Sequence, residues 1–165
     1  MKAPICSVCL KSNILCTACQ KKLDEGLISE ADIKISRKIH ELSEKIKVLR
    51  EAEIKKVIET QKTIIIIANK GTADKLVGKG GIAVRKIGEV LGKHVKVVEE
   101  SENLKEFVQN LLFPVPVLTI NTLYTAEREI LRVLVPKRSR LSMSVEEFKR
   151  IMKIVFNKDA EIIFK

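Results

Sequence analysis

Two short runs of residues in this chain have types and spacings that could do chemistry. The first is Cys6-x-x-Cys9 and Cys16-x-x-Cys19, two pairs separated by six residues that together hold all four cysteines of the sequence. A two-residue gap lets a knuckle of backbone aim both sulfurs at one cation, and a second knuckle completes a tetrahedral four-thiolate shell for Zn²⁺. That shell is closed, leaving no position for water or substrate, so the expected role is structural, with one Zn²⁺ per chain held as back-to-back knuckles on the neighbouring domain. So short a segment buries no core of its own, and ligation would provide its folding free energy. Disulfides or unrelated buried thiols compete with this reading. The start Met1-Lys2-Ala3-Pro4 lacks an apolar leader, which favours zinc and an intracellular, cytoplasmic protein.

The second run is Gly78-Lys79-Gly80-Gly81, set between Lys75-Leu76-Val77 and a helical pattern from Ile82 to Leu91. Glycines let the backbone approach a ligand with no Cβ in the way, and the helix start offers unpartnered N–H groups with partial positive charge. Together they suit phosphate. A Walker A loop is excluded because six residues separate Gly71 from Gly78, and glycine follows Lys79 in place of Ser or Thr. A dinucleotide fingerprint, Gly78-x-Gly80-x-x-Ala83 with Glu99 or Glu100 beyond, fits the letters but not the context. That fingerprint needs a strand running directly into its first glycine. Here the strand ends near Ala68, with a short helix in between.

The rest of the chain must position these runs. Apolar residues recur at Ile35, Ile39, Leu42, Ile46 and Leu49 behind a Ser29 cap with Asp32 at the capping-box position, predicting a helix with one buried stripe. Residues 53–60 and Thr63 to Ala68 read as antiparallel strands, the second buried on both faces. Helices follow over Thr72 to Val77 and from Ile82, where Val84, Ile87 and Leu91 face inward and Arg85, Lys86 and Glu89 outward. Gly92-Lys93 ends the second, and His94 to Val98 is a strand. From Ser101 the order recurs: a helix to Leu112, strands over Val117 to Leu123 and Ile130 to Val135, a basic turn Lys137-Arg138-Ser139-Arg140, a helix from Val145 to Phe156 and a strand from Ala160 to Phe164. This repetition predicts an internal duplication.

Composition agrees with a polyanion partner. Among 165 residues, Lys and Arg outnumber Asp and Glu by 31 to 21, for a net charge of +10. A lysine-rich solvated surface would give the same balance. No apolar run is long enough to span a membrane. His40 and His94 have no ligand or catalytic partner nearby in sequence. No nucleophile-and-base arrangement is evident, so neither an enzyme nor a small-molecule substrate is expected.

Strand, helix, Gly-Lys-Gly-Gly, helix, strand resembles the KH domain, whose GxxG loop clamps the backbone of about four nucleotides. The extra helix and strand ahead of this core resemble the type II form. Val77-Gly78-Lys79-Gly80-Gly81-Ile82-Ala83-Val84-Arg85-Lys86-Ile87, Leu91 to Val98, Glu102 to Val108 and Val133-Leu134-Val135-Pro136 are similar to the tandem KH region of the NusA family, with the cysteine module resembling an archaeal NusA-like arrangement. The resemblance implies an α+β fold. Its parts would be a zinc module over 1–24, a KH domain over 29–100 and a degenerate KH-like domain over 102–165, each KH unit running helix-strand-strand-helix-helix-strand. It also implies single-stranded RNA binding through Val77, Gly78, Lys79, Gly80, Gly81, Ile82, Arg85 and Lys86, in transcription elongation or termination near RNA polymerase. A ribosome- or rRNA-associated scaffold is the alternative. Ser144-Val145-Glu146-Glu147 stands where the second GxxG would fall, and its carboxylates would repel phosphate.

Overall fold

In the computed structural model, which describes residues 1–165, the chain divides into two units, Met1–Glu100 and Ser101–Lys165. The first contains α1 (Ser7–Lys11), α2 (Thr17–Asp24), α3 (Glu30–Lys45), a 3₁₀ turn (Lys47–Glu51), β1 (Ile54–Glu59), β2 (Thr63–Ala68), α4 (Ala73–Val77), a 3₁₀ turn (Lys79–Gly81), α5 (Ile82–Leu91) and β3 (His94–Glu99). The second contains α6 (Leu104–Leu112), β4 (Thr119–Tyr124), β5 (Glu129–Val135), α7 (Val145–Phe156) and β6 (Asp159–Phe164). The architecture is α+β. Each unit has one three-stranded sheet, and each middle strand runs antiparallel to the strand before it and parallel to the one after.

Ser29 and Asp32 start α3 as a capping box, Ser29 Oγ accepting from the Asp32 N–H at 3.2 Å and Asp32 accepting from the Ser29 N–H at 2.8 Å. Asp32 has a second task, because its other oxygen accepts the Val57 N–H of β1 at 2.6 Å. β1 is an edge strand, and a buried N–H left without an acceptor there would cost about 1–3 kcal/mol. One carboxylate thus fixes the helix start and its docking on the sheet. Ile35 and Ile39 of the predicted stripe are buried, but α3 stops at Lys45. Arg50 folds back to donate to the carbonyls of Ser43 (3.0 Å) and Glu44 (3.2 Å), closing the helix end, and Leu49 reaches the core from the 3₁₀ turn.

β2, Thr-Ile-Ile-Ile-Ile-Ala, is buried at every position, as its unbroken β-branched run requires. Ile64, Ile66, Val95, Ile87 and Leu76 share one cluster with the α3 stripe. Each such side chain contributes about 1.5–3 kcal/mol of burial, which holds α4 and α5 against the sheet.

The second unit corrects one expectation. Only α7 lies between β5 and β6, so the helix-strand-strand-helix-helix-strand order is not repeated in full. Residues 136–144 form a turn and extended chain. Pro136-Lys137-Arg138-Ser139-Arg140 has no apolar position three or four residues apart to bury a helical face, and only Met143 sinks into the core. The remaining elements pack conventionally, with Val133, Val135, Phe148, Ile151 and Met152 buried and Phe107 meeting Phe156 edge to face at 5.2 Å.

Candidate functional site

The glycine loop follows from a close approach. α4 ends where the Gly78 N–H donates to Asp74 O at 2.8 Å, and Gly78 adopts φ 74°, ψ 171°, which is nearly closed to L side chains. A Cβ on Gly78 would lie 2.7 Å from Ala83 Cβ and 3.0 Å from Ala83 N. Gly80 (φ 64°) and Gly81 (φ 77°) are left-handed as well, and the space around Gly80 is open. Ala83 stands in the sequence only as a letter of the glycine pattern, and its packing role is what spacing does not reveal. It is buried in the first turn of α5, and its small side chain is what lets Gly78 pass.

α5 begins at Gly81 with no side-chain cap and no acidic residue in its first turn. Its partial positive charge therefore faces outward beside Lys79, which is exposed and has no carboxylate partner. Arg85 is exposed but turned back on the loop, donating from Nη2 to Gly80 O at 3.1 Å and from Nε to Gly81 O at 3.3 Å. It braces the two left-handed residues. Lys86 is also exposed and pairs with Glu89 at 3.3 Å. Val77 is half-buried, while Ile82 is 62% exposed beside the loop.

The run-up to the loop is tied to the end of β3. Glu99 accepts the Gly71 N–H and Glu100 the Lys70 N–H, with Lys55 ion-paired to Glu100. The Lys55 hydrogen bond, outweighing burial, holds the Glu100 carboxyl below its usual range. The two carboxylates that fitted a dinucleotide fingerprint are therefore occupied in holding a turn. α4 separates β2 from Gly78, so no strand runs into the glycines.

At the other run, Cys6 and Cys16 are the N-cap residues of α1 and α2, and Cys9 and Cys19 lie one turn inside. The expected knuckles are thus two helix starts. All four sulfurs lie within 4.8 Å of one another, and Cys6 Sγ is 3.9 Å from Cys16 Sγ. Sulfurs about 2.3 Å from a tetrahedral ion are about 3.8 Å apart, so the set fits a metal ion. Backbone N–H groups point at all four sulfurs: Cys16 N to Cys9 Sγ at 3.1 Å, Cys19 N to Cys16 Sγ at 3.4 Å, Cys6 N to Cys19 Sγ at 3.5 Å, and the Cys9 N–H to Cys6 Sγ.

The Cys9 N–H and the neighbouring sulfurs lower the Cys6 thiol to about 7. Cys9 gains from the Cys16 N–H, yet burial and the other three sulfurs push it up to about 12. Ionising all four sulfurs at this separation would require a cation between them. The segment is held to the first unit by Arg37 of α3, which donates to Cys9 O at 3.0 Å and Ile14 O at 3.3 Å, and by Ile33, packed with Ile5, Leu10 and Ile28.

No protein-family model matches the chain. Over one stretch it is similar to a NusA. The stretch is 52 residues at 33% identity to a Methanococcus vannielii protein described as "Probable transcription termination protein NusA", covering 32% of this chain and 30% of that relative. The match thus spans less than a third of the relative's length. A solved structure described as the crystal structure of APE1850 has 20% identity and a TM-score of 0.60, covering 78% of this chain and 96% of that one. At that identity the likeness concerns the fold. No helix is long and apolar enough to cross a membrane.

Proposed function

We propose that this is a non-enzymatic RNA-binding protein whose first unit is a type II KH-like domain that clamps the backbone of single-stranded RNA at Gly78–Gly81. One observation carries the reading: three positive-φ glycines deliver the chain to an uncapped, acid-free helix start, with an unpaired lysine between them. In this reading the backbone passes Gly78 to Gly81 closely and Lys79 neutralises a phosphate. Arg85 and Lys86 flank the strand, and bases lie over Val77, Ile82 and Val97. The second unit is a degenerate KH-like domain over 102–165. The partial likeness to a NusA and the fold likeness support this assignment. They also motivate a place in transcription elongation or termination, in the cytoplasm, with RNA polymerase as a partner. Exclusive comigration with a ribosomal subunit, in place of capture by polymerase, would count against that setting.

Anisotropy of a labelled short single-stranded RNA tests the clamp. K79D/G80D should weaken binding about tenfold or more, which is about 1.4 kcal/mol, while circular dichroism remains that of the folded chain. Unchanged affinity in a folded variant overturns the reading. The four cysteines at 1–24 hold one structural Zn²⁺ in this proposal. Metal analysis should find about one zinc per chain, and a chelator strong enough to strip it should melt α1 and α2. A zinc-free chain with the same helical signal would remove the metal from the account.

A further inference from the structure

Five of the eleven lysines and arginines of the second unit are neutralised where they stand. Arg132 meets Glu161 at 2.6 Å, Lys158 meets Glu129 at 3.2 Å, Arg128 and Lys153 share Asp159, and Lys149 pairs with Glu146 at 3.6 Å. Lys105, Arg150 and Lys165 are unpaired but scattered along the chain, whereas Lys137, Arg138 and Arg140 are unpaired and clustered. All three are exposed, and none has an ion-pair partner. The sequence contains no acid from Ile130 to Val145. Beyond that run, the Glu147 carboxylate accepts the Ser144 N–H at 2.9 Å, and Glu146 is taken by Lys149. The carboxylates next along the chain are committed elsewhere.

The segment is also fixed at both ends. The Lys137 N–H donates to Lys165 O at 3.0 Å, the Lys165 N–H to Val135 O at 2.9 Å, and the Ser139 N–H closes a turn on Pro136 O at 3.0 Å. Met143 is buried, and the capping box of α7 follows at once. Between these anchors Arg138 and Arg140 are exposed on either side of a half-buried Ser139. This stretch stands where the first unit has α4 and its glycine loop.

We infer that the second unit contacts nucleic-acid phosphates through Lys137, Arg138 and Arg140, the stretch that replaces the helix and loop of the first unit. Arginine forks suit phosphate oxygens, and the stretch offers no exposed large apolar side chain, so its recognition is by charge. An acidic protein surface would usually add an apolar anchor to such a contact. The inference deepens the RNA-binding reading and rests on it for the identity of the phosphate donor.

The test measures affinity of the full chain for a labelled oligouridylate of about twelve nucleotides across a salt series, because each phosphate contact to a single strand contributes about 0.7 to the slope of log K against log salt. R138A/R140A should reduce the slope by about 1.4 and the affinity about tenfold. K149A/K153A, which removes the same charge from ion-paired lysines, should leave the slope nearly unchanged. Equal effects of the two pairs reduce the segment to net charge and overturn the inference, as does no effect of R138A/R140A. Loss of capture of an acidic protein, with RNA affinity intact, overturns it in favour of that partner. K79D/G80D reports separately on the glycine loop: a segment effect with no loop effect sinks the clamp and leaves this inference standing.

Discussion

Helix α5 begins at Gly81 with no side chain on its first N–H groups, whereas α7 begins at Ser144 with a complete capping box. Ser144 Oγ accepts the Glu147 N–H at 3.1 Å, and the Glu147 carboxylate returns to the Ser144 N–H at 2.9 Å. Both helices lead into a strand parallel to the middle strand of their sheet. One start therefore leaves its partial positive charge to an outside anion, and the other neutralises it internally. The difference lies in what each unit does with its helix start, at a cost of only a few tenths of a kcal/mol for a glycine in place of a serine N-cap. The second unit takes the cap as stability. The first forgoes it, which in the proposed reading leaves a place for phosphate.

The largest expected break in this comparison comes from Gly78→Val. Its Cβ would overlap Ala83, and φ 74° is strained for a β-branched residue, so the two costs together come to about 2–5 kcal/mol. Thermal melting should show the loss in the first unit, and RNA affinity should fall with it. A variant that melts like the parent would mean that the close approach of α4 and α5 is not what demands glycine.

How far such a site can be read from sequence is itself uneven. The Ser29–Asp32 box, the all-buried β2 and the left-handed Gly92 after α5 are local, written in residues three or four apart, and they were legible. The Asp32 bond to Val57 crosses 25 positions, and the Arg37 grip on Cys9 crosses 28; no local pattern announces either. The missing helix of the second unit was legible in principle, since the stretch after Pro136 has no apolar period, but the apparent duplication argued more strongly. In the loop the glycines were plain, while the role of Ala83 depends on a packing distance that spacing does not reveal.

A smaller effect is expected at the closed helix start. S144A/E147A removes both arms of the box and should cost about 1–2 kcal/mol, read as a lower denaturation midpoint with unchanged slope. It also bares the first N–H groups of α7. RNA affinity through this site should nonetheless not rise, because the side chains of Val145 and Glu146 keep the backbone from a close approach. A gain in affinity would show that an open helix start suffices, and that the glycines of the first unit are incidental.

The smallest change separates the two things Arg85 could contribute. Its guanidinium donates to Gly80 O and Gly81 O, the carbonyls of two residues held in the left-handed region, while its charge lies beside the helix start. Exposed hydrogen bonds of this kind contribute about 1 kcal/mol or less, so R85A should barely shift the melting temperature. If bracing is the main role, R85A and R85K should both weaken RNA binding a few-fold, since an ammonium cannot fork across the two carbonyls as the guanidinium does. The salt slope should then stay near that of the parent. If charge is the main role, R85K should bind like the parent and R85A should lower the slope by about 0.7. The first outcome makes the loop's shape the thing Arg85 protects, and the second makes Arg85 one more phosphate contact at a helix start already left open for one.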